Sequence, residues 1–92
     1  MSVRTMAKVW EISRQSGSDL LMLLAIADFA DDNGNAYPAV TTLAEKCRMT
    51  QRNANLILAN LKKSGELIVK QNEGPRGTNR YLVRLPTPEA GF

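Results

Sequence analysis

The chain has 92 residues, 43% of them hydrophobic and 23% charged, with a net charge of +3, a balance that describes one globular domain with a modest core. It contains no histidine and a single cysteine, Cys47, which excludes an internal disulfide and removes the usual zinc sites and the histidine-dependent catalytic triads. The most apolar run, LLMLLAIADFA at residues 20–30, follows Asp19 and contains Asp28, so it is too short and too polar at its edges to span a bilayer.

Taken in chain order, the first segment is VRTMAKVWEI, residues 3–12. It is rich in β-branched and aromatic residues, and residues 1–15 are expected to form an extended arm or short strand. SGSD at 16–19 then supplies Ser16 or Ser18 as a helix N-cap, with Asp19 in the first turn where a carboxylate suits the helix dipole. In the helix that follows, Leu20, Leu23, Leu24 and Ala27 fall on one side and Met22, Ile26 and Phe29 on the other. A helix apolar all round must be covered on both sides. The second side calls for Trp10, Met6 and Ile12 from the arm or for a second subunit, which makes Trp10, Met22, Ile26 and Phe29 a candidate dimer surface. DDNG at 31–34 ends this helix, with Asn33 and Gly34 able to take left-handed conformations.

AYPAVTTLAEKCR, residues 36–48, has Pro38 as a start signal and Val40, Leu43, Ala44 and Cys47 at helical spacing, which predicts a short second helix. After a turn at Met49 and Thr50, a third helix is predicted to run to about Ser64, capped by Thr50 and stopped by Gly65. The period then changes to alternation. Leu67, Val69 and Gln71 share one face, as do Tyr81, Val83 and Leu85, and the two runs read as a hairpin around the tip NEGPRGTN at 72–79. Residues 86–92, PTPEAGF, read as a flexible tail or the start of a linker. The fold class is therefore mainly α with a small β-hairpin.

Charge is unevenly placed. Residues 1–45 carry three basic and six acidic side chains, whereas residues 46–92 carry nine basic and three acidic ones, so the C-terminal half is the candidate face for a polyanion. Cys47 is expected to be a small buried apolar residue. Asp28, Asp31 and Asp32 read as a solvated helix end, and Gly74 and Gly77 lack the strand-loop-helix setting of a phosphate-binding loop. Without a nucleophile beside a base, no enzyme is expected, and no cofactor, metal or small-molecule substrate is called for.

At the level of residues, VWEI, then SGSDLLMLLAIADFADDNGNAYPAVTTLAEKCRMTQRNANLILANLKKSGELI and finally NRYLVRL resemble the helix-turn-helix domains of plasmid and phage replication-initiation proteins and related prophage regulators. The resemblance spans roughly residues 9–85. It implies a winged helix-turn-helix fold over 16–85, a three-helix core plus a β wing, in a cytoplasmic protein of bacterial, plasmid or phage origin. It also implies double-stranded DNA as partner, with a second copy of the chain or a replication protein as further partners. Departures from the family pattern are Ala39 where a capping Ser is usual, Arg48 where a Gly is usual at the turn, and Asn53 and Ala54 in place of a Thr-Val pair. A left-handed Arg48 would cost roughly 1 kcal/mol, and the missing cap about as much.

At ~100° per residue, Ala54, Ile57, Leu58 and Leu61 form the inward face of the third helix. Gln51, Arg52, Asn55 and Leu56 are left facing outward as candidate base contacts. Arginine pairs bidentately with guanine and asparagine with adenine, and an apolar side chain can rest on a thymine methyl group. Ala59 lies beside Leu56, and together they could instead dock a protein. Lys46, Arg48, Lys62, Lys63, Lys70, Arg76, Arg80 and Arg84 are the candidate contacts to the DNA backbone, where positive charge and reach suffice. Arg76, at the hairpin tip, is the candidate for the minor groove.

Overall fold

A computed structural model describes residues 3–85 of the chain. The first segment is a helix and not an extended arm: α1 spans Val3–Ile12, with Val9 fully buried and Thr5 nearly so. Thr5 and Val9 lie one turn apart on one face of the helix, whereas strand alternation would have turned Ala7 inward with them, and Ala7 is exposed. The weak helix propensity of β-branched residues costs a few tenths of a kcal/mol each, less than the burial of Val9 against the next helix returns. Thr5 Oγ1 donates to the Asp31 carbonyl at 2.8 Å, which joins α1 to the loop after that helix.

The second helix, α2, spans Gly17–Phe29 with Ser16 at its N-cap, although the Ser16 side chain makes no capping hydrogen bond. Met22, Leu23, Leu24, Ala25, Ile26 and Ala27 are all buried, as an all-round apolar helix requires. The chain itself supplies the cover. Met22 and Ile26 are 0% exposed within a single copy, so neither belongs to a dimer surface, because α1 and the rest of the domain enclose this helix. Of the four residues proposed for that surface, Trp10 and Phe29 remain exposed.

The end of α2 also differs from expectation. Ala30 turns to an extended conformation, φ −80° and ψ 155°, and closes the helix before DDNG. Asp31 then organises the turn: its Oδ1 accepts from the backbone N–H groups of Asn33 at 2.9 Å and Asn35 at 3.1 Å. Gly34 does adopt a left-handed conformation, φ +88°, but it serves this turn. A Cβ added to Gly34 would lie 3.0 Å from the Val83 carbonyl oxygen. Gly34→Ala should therefore destabilise the fold by about 1 to 2 kcal/mol in urea unfolding, the left-handed strain plus that contact. Gly65→Ala, at φ +85° with open space around it, should lose the smaller amount.

The strand β1, Asn35–Ala36, is too short to leave a periodic mark in the sequence. The helix α3 covers Val40–Lys46, with Ala39 at its N-cap position and no side-chain cap. At its C-terminus the Arg48 N–H donates to the Glu45 carbonyl and the Met49 N–H to the Ala44 carbonyl, the paired bonds of a left-handed helix stop. Arg48 holds the left-handed position at φ 59°. Its guanidinium Nη1 donates to the Glu45 and Lys46 carbonyls at 3.2 and 3.0 Å, contacts that glycine could not make.

The helix α4 runs Gln51–Ser64 as expected. Thr50 Oγ1 accepts from the Asn53 N–H, and Gly65 closes the helix at φ 85°. The strands β2, Leu67–Lys70, and β3, Arg80–Val83, form the wing in antiparallel register, Leu67 opposite Val83 and Val69 opposite Tyr81. Their connection includes Gln71 as well as the eight residues of the tip, with a single 3-10 turn at Pro75–Gly77. β1 pairs with the far edge of β3, Ala36 opposite Tyr81, giving a three-stranded sheet of order β1-β3-β2. The fold is a winged helix-turn-helix, with four helices and three strands among the described residues. Residues 86–92, the expected tail, lie outside the described residues. Tyr81, Met22, Leu23, Ile26, Leu43, Leu61 and Val9 are the largest fully enclosed side chains. No helix is long and apolar enough to cross a membrane among the described residues.

A candidate nucleic-acid interface on the third core helix and the wing

The outward face of α4 follows from what the opposite face buries. Ala54, Ile57, Leu58 and Leu61 are all buried, which fixes the rotation of the helix. Gln51, Arg52, Asn55 and Leu56 are all exposed, together with Ala59, Asn60 and Lys63. Arg52 and Asn55 lie one turn apart on this face, as the helical period requires. Leu56 is 58% exposed, a large apolar side chain held out among amides and charges.

The cations divide into two groups. Lys62, Lys63, Lys70, Arg76 and Arg84 are exposed, with Arg76 in a left-handed conformation at the wing tip. The other three make contacts within the protein, although Lys46 and Arg48 are exposed as well. Lys46 pairs with Asp28 at 2.7 Å and its ammonium lies 5.3 Å from the centre of the Phe29 ring, Arg48 is turned onto the end of α3, and Arg80 bridges Glu73 at 3.2 Å and the Asn35 side chain at 2.8 Å. Arg80 thus links β3 to β1 and to the wing loop, a role that no sequence pattern signals.

Between α4 and the wing lies a crevice lined by Asn55, Ala59 and Lys62 on the helix and by Val69, Gln71 and Asn79 on the wing. Sequence reasoning overlooked Gln71 and Asn79 as site residues. Gln71 was assigned to a hairpin face and Asn79 to a turn, and only the approach of the wing to α4 brings their amides beside Asn55 and Lys62. Asn79 Nδ2 donates to the buried Tyr81 hydroxyl at 3.5 Å.

A second polar joint sits at the base of the wing. Glu66 is buried, and its carboxylate accepts from Ser13 Oγ at 2.6 Å and from the Arg14 N–H at 2.9 Å. The Glu66 carbonyl accepts from the Arg84 N–H at 2.8 Å. One residue thereby holds the end of α1, the end of α4 and the outgoing strand together.

Elsewhere the chemistry is quiet. Cys47 is buried, and burial pushes its thiol pKa up against the opposing pull of Lys46 and Arg48, which disfavours the nucleophilic thiolate. Asp28 and Asp31 are occupied by an ion pair and a turn. No group of three acidic or thiol side chains is placed to hold a metal ion among the described residues.

A helix-turn-helix domain model matches residues 16–65, more than half of the chain, from the cap of α2 to the stop of α4. The chain belongs to the helix-turn-helix family. Outside that match lie α1 and the strands β2 and β3, of which the two strands are the wing. A solved structure described as the N-terminal domain of a DNA binding protein superposes with a TM-score of 0.63 at 17% identity, over 90% of this chain and 74% of that one. At that identity the likeness is one of fold. No curated protein matches the chain.

Proposed function

We propose that this helix-turn-helix domain binds double-stranded DNA, with α4 in the major groove and the wing alongside, as part of plasmid- or phage-type replication initiation in the bacterial cytoplasm. The observation that carries the reading is the outward face of α4, where Arg52 and Asn55 project one turn apart, Lys62 lines a crevice with Asn55, and Lys63, Lys70, Arg76 and Arg84 are exposed elsewhere on α4, the wing and its base. Arginine and asparagine are the side chains suited to bidentate pairing with guanine and adenine, and the flanking cations suit the phosphates. The family match and the DNA-binding protein of like fold support the same reading. A small transcriptional regulator would use the same face, and the exposure of Leu56 beside Ala59 favours, as the second reading, a protein docked on α4.

Salt separates the two readings. If these five cations each neutralise a phosphate, affinity for duplex DNA should fall about 500-fold between 50 and 200 mM salt, from a slope near −0.9 per contact. Fluorescence anisotropy with a labelled duplex selected from a random pool measures it. Absence of duplex binding at 50 mM salt, with a salt-insensitive protein complex in its place, would overturn the proposal.

A further inference from the structure

The helix α1 buries Thr5 and Val9 against the domain, and its opposite face is not the polar one that a surface helix normally shows. At ~100° per residue, Trp10, Val3 and Ala7 lie along that outward face, with Glu11 and Arg4 together on one flank. Val3 at 75% and Trp10 at 65% are the most exposed large apolar side chains among the described residues. On the other flank Met6, one turn from Trp10, lines a groove with Leu21 and Leu24. The stripe therefore has an apolar flank and a charged flank, and the charged flank carries Arg4 and Glu11 close to the stripe with Lys8 further round.

We propose that this stripe pairs α1 with α1 of a second copy of the chain, antiparallel about a two-fold axis near Ala7. In an antiparallel helix pair the same flanks face each other, and residues of one flank whose numbers add to within one of 14 come to nearly the same level when the axis lies at residue 7. Centred near Ala7, the pairing sets Ala7 against its own copy, where a methyl group lets the backbones approach. It lays Trp10 over the Val3 of the other copy and brings Arg4 to its Glu11, and the two-fold axis repeats each contact. A parallel pairing instead turns the Arg4 and Glu11 flank onto the Met6 flank and leaves both charges without a counterpart. Antiparallel packing also opposes the two helix dipoles. Lys8, about 100° from Ala7 and further from Val3 and Trp10, is exposed to solvent.

The position of α1 leaves the proposed DNA face open, because α1 packs on α2 and α2 in turn packs on α4. Two ten-residue helices bury less than the ~1,200 Å² of a stable standard interface, so the pairing is weak in free solution. On adjacent binding sites, where the effective concentration reaches the millimolar range, it makes binding cooperative. The self-association itself belongs to the protein alone and is tested without DNA, so its failure and that of the DNA reading are separable.

Trp10 is the only tryptophan of the chain, so its emission should shift to the blue as protein concentration rises, in step with dimer measured by sedimentation equilibrium. Trp10→Ala and Arg4→Glu should each weaken dimerisation about tenfold. The double variant Arg4→Glu, Glu11→Arg should restore it, since the pair is merely exchanged. In Ala7→Cys the native thiol is buried, and mild oxidation should cross-link the new one to its own copy, whereas Glu45→Cys, exposed on α3, should stay monomeric. A chain that remains monomeric to millimolar concentration overturns the proposal, as does dimerisation indifferent to Trp10→Ala. A double charge variant no better than Arg4→Glu overturns the antiparallel arrangement.

Discussion

Arg52→Ala should weaken binding to the selected duplex by about 1 to 3 kcal/mol, roughly 5- to 150-fold, and relax the preference at one base pair. The expectation rests on the proposed DNA reading and on two observations. The side chain is exposed on the first turn of α4, and the inward residues of that helix are fully committed to the core, so the helix cannot rotate to bring another residue to the same position. Truncation at an exposed site should leave stability within about 0.5 kcal/mol of the parent, which separates loss of contact from loss of fold. Arg52→Lys should recover charge but not the two parallel hydrogen bonds of a guanidinium, so nonspecific affinity should return while the base preference does not. Anisotropy titrations with the selected duplex and with a copy altered at single positions would measure both quantities. An unchanged preference in Arg52→Ala would remove this residue from the set of base readers.

Glu66→Ala should be the most damaging single substitution of a polar residue, costing about 2 to 4 kcal/mol. Removing the carboxylate takes the acceptor away from the Arg14 N–H and from the Ser13 hydroxyl, at a site where Glu66 is only 4% exposed. For a domain of this size the loss corresponds to a fall of roughly 8 to 25 °C in Tm. Glu66→Gln keeps a carbonyl for the Arg14 N–H and an amide able to donate to Ser13, and should lose less than half as much. If instead both variants melt with the parent chain in calorimetry, the joint between α1, α4 and the wing is held by other contacts.

The elements differed in how much of them the residues reveal. The helix α4 was legible in full because its cap, its four inward residues and its glycine stop agree, and its outward face follows by subtraction. The wing was legible for a similar reason, since alternation over 67–71 and 81–85 marks two runs on either side of a tip rich in glycine and proline, although the register comes from the fold. α1 was misread as extended because its residues favour strands locally, and the burial of Thr5 and Val9 depends on α2. For the same reason the sequence leaves the cover of Met22 and Ile26 open between the arm and a second subunit, and in the fold both are enclosed within one copy. Glu66 shows the same limit in polar form, because a carboxylate beside a helix stop gives no sign that it will be enclosed by partners more than fifty positions earlier in the chain. Within the candidate site, the residues of α4 could be named from one helix alone. Gln71 and Asn79 could not, and neither could the contacts of Lys46, Arg48 and Arg80, since each depends on elements distant in sequence.

The pairing of β1 with β3 bears on what binding would cost. An isolated two-stranded hairpin is marginal in water, but here Asn35 and Ala36 flank the second edge of β3, and Arg80 pins the strand to Asn35. The base of the wing is thereby a fixed strut whose angle to α4 is set before any ligand arrives. A partner on that face would have to immobilise chiefly the long surface side chains, so the ordering entropy of association falls on side chains and not on the strands of the wing.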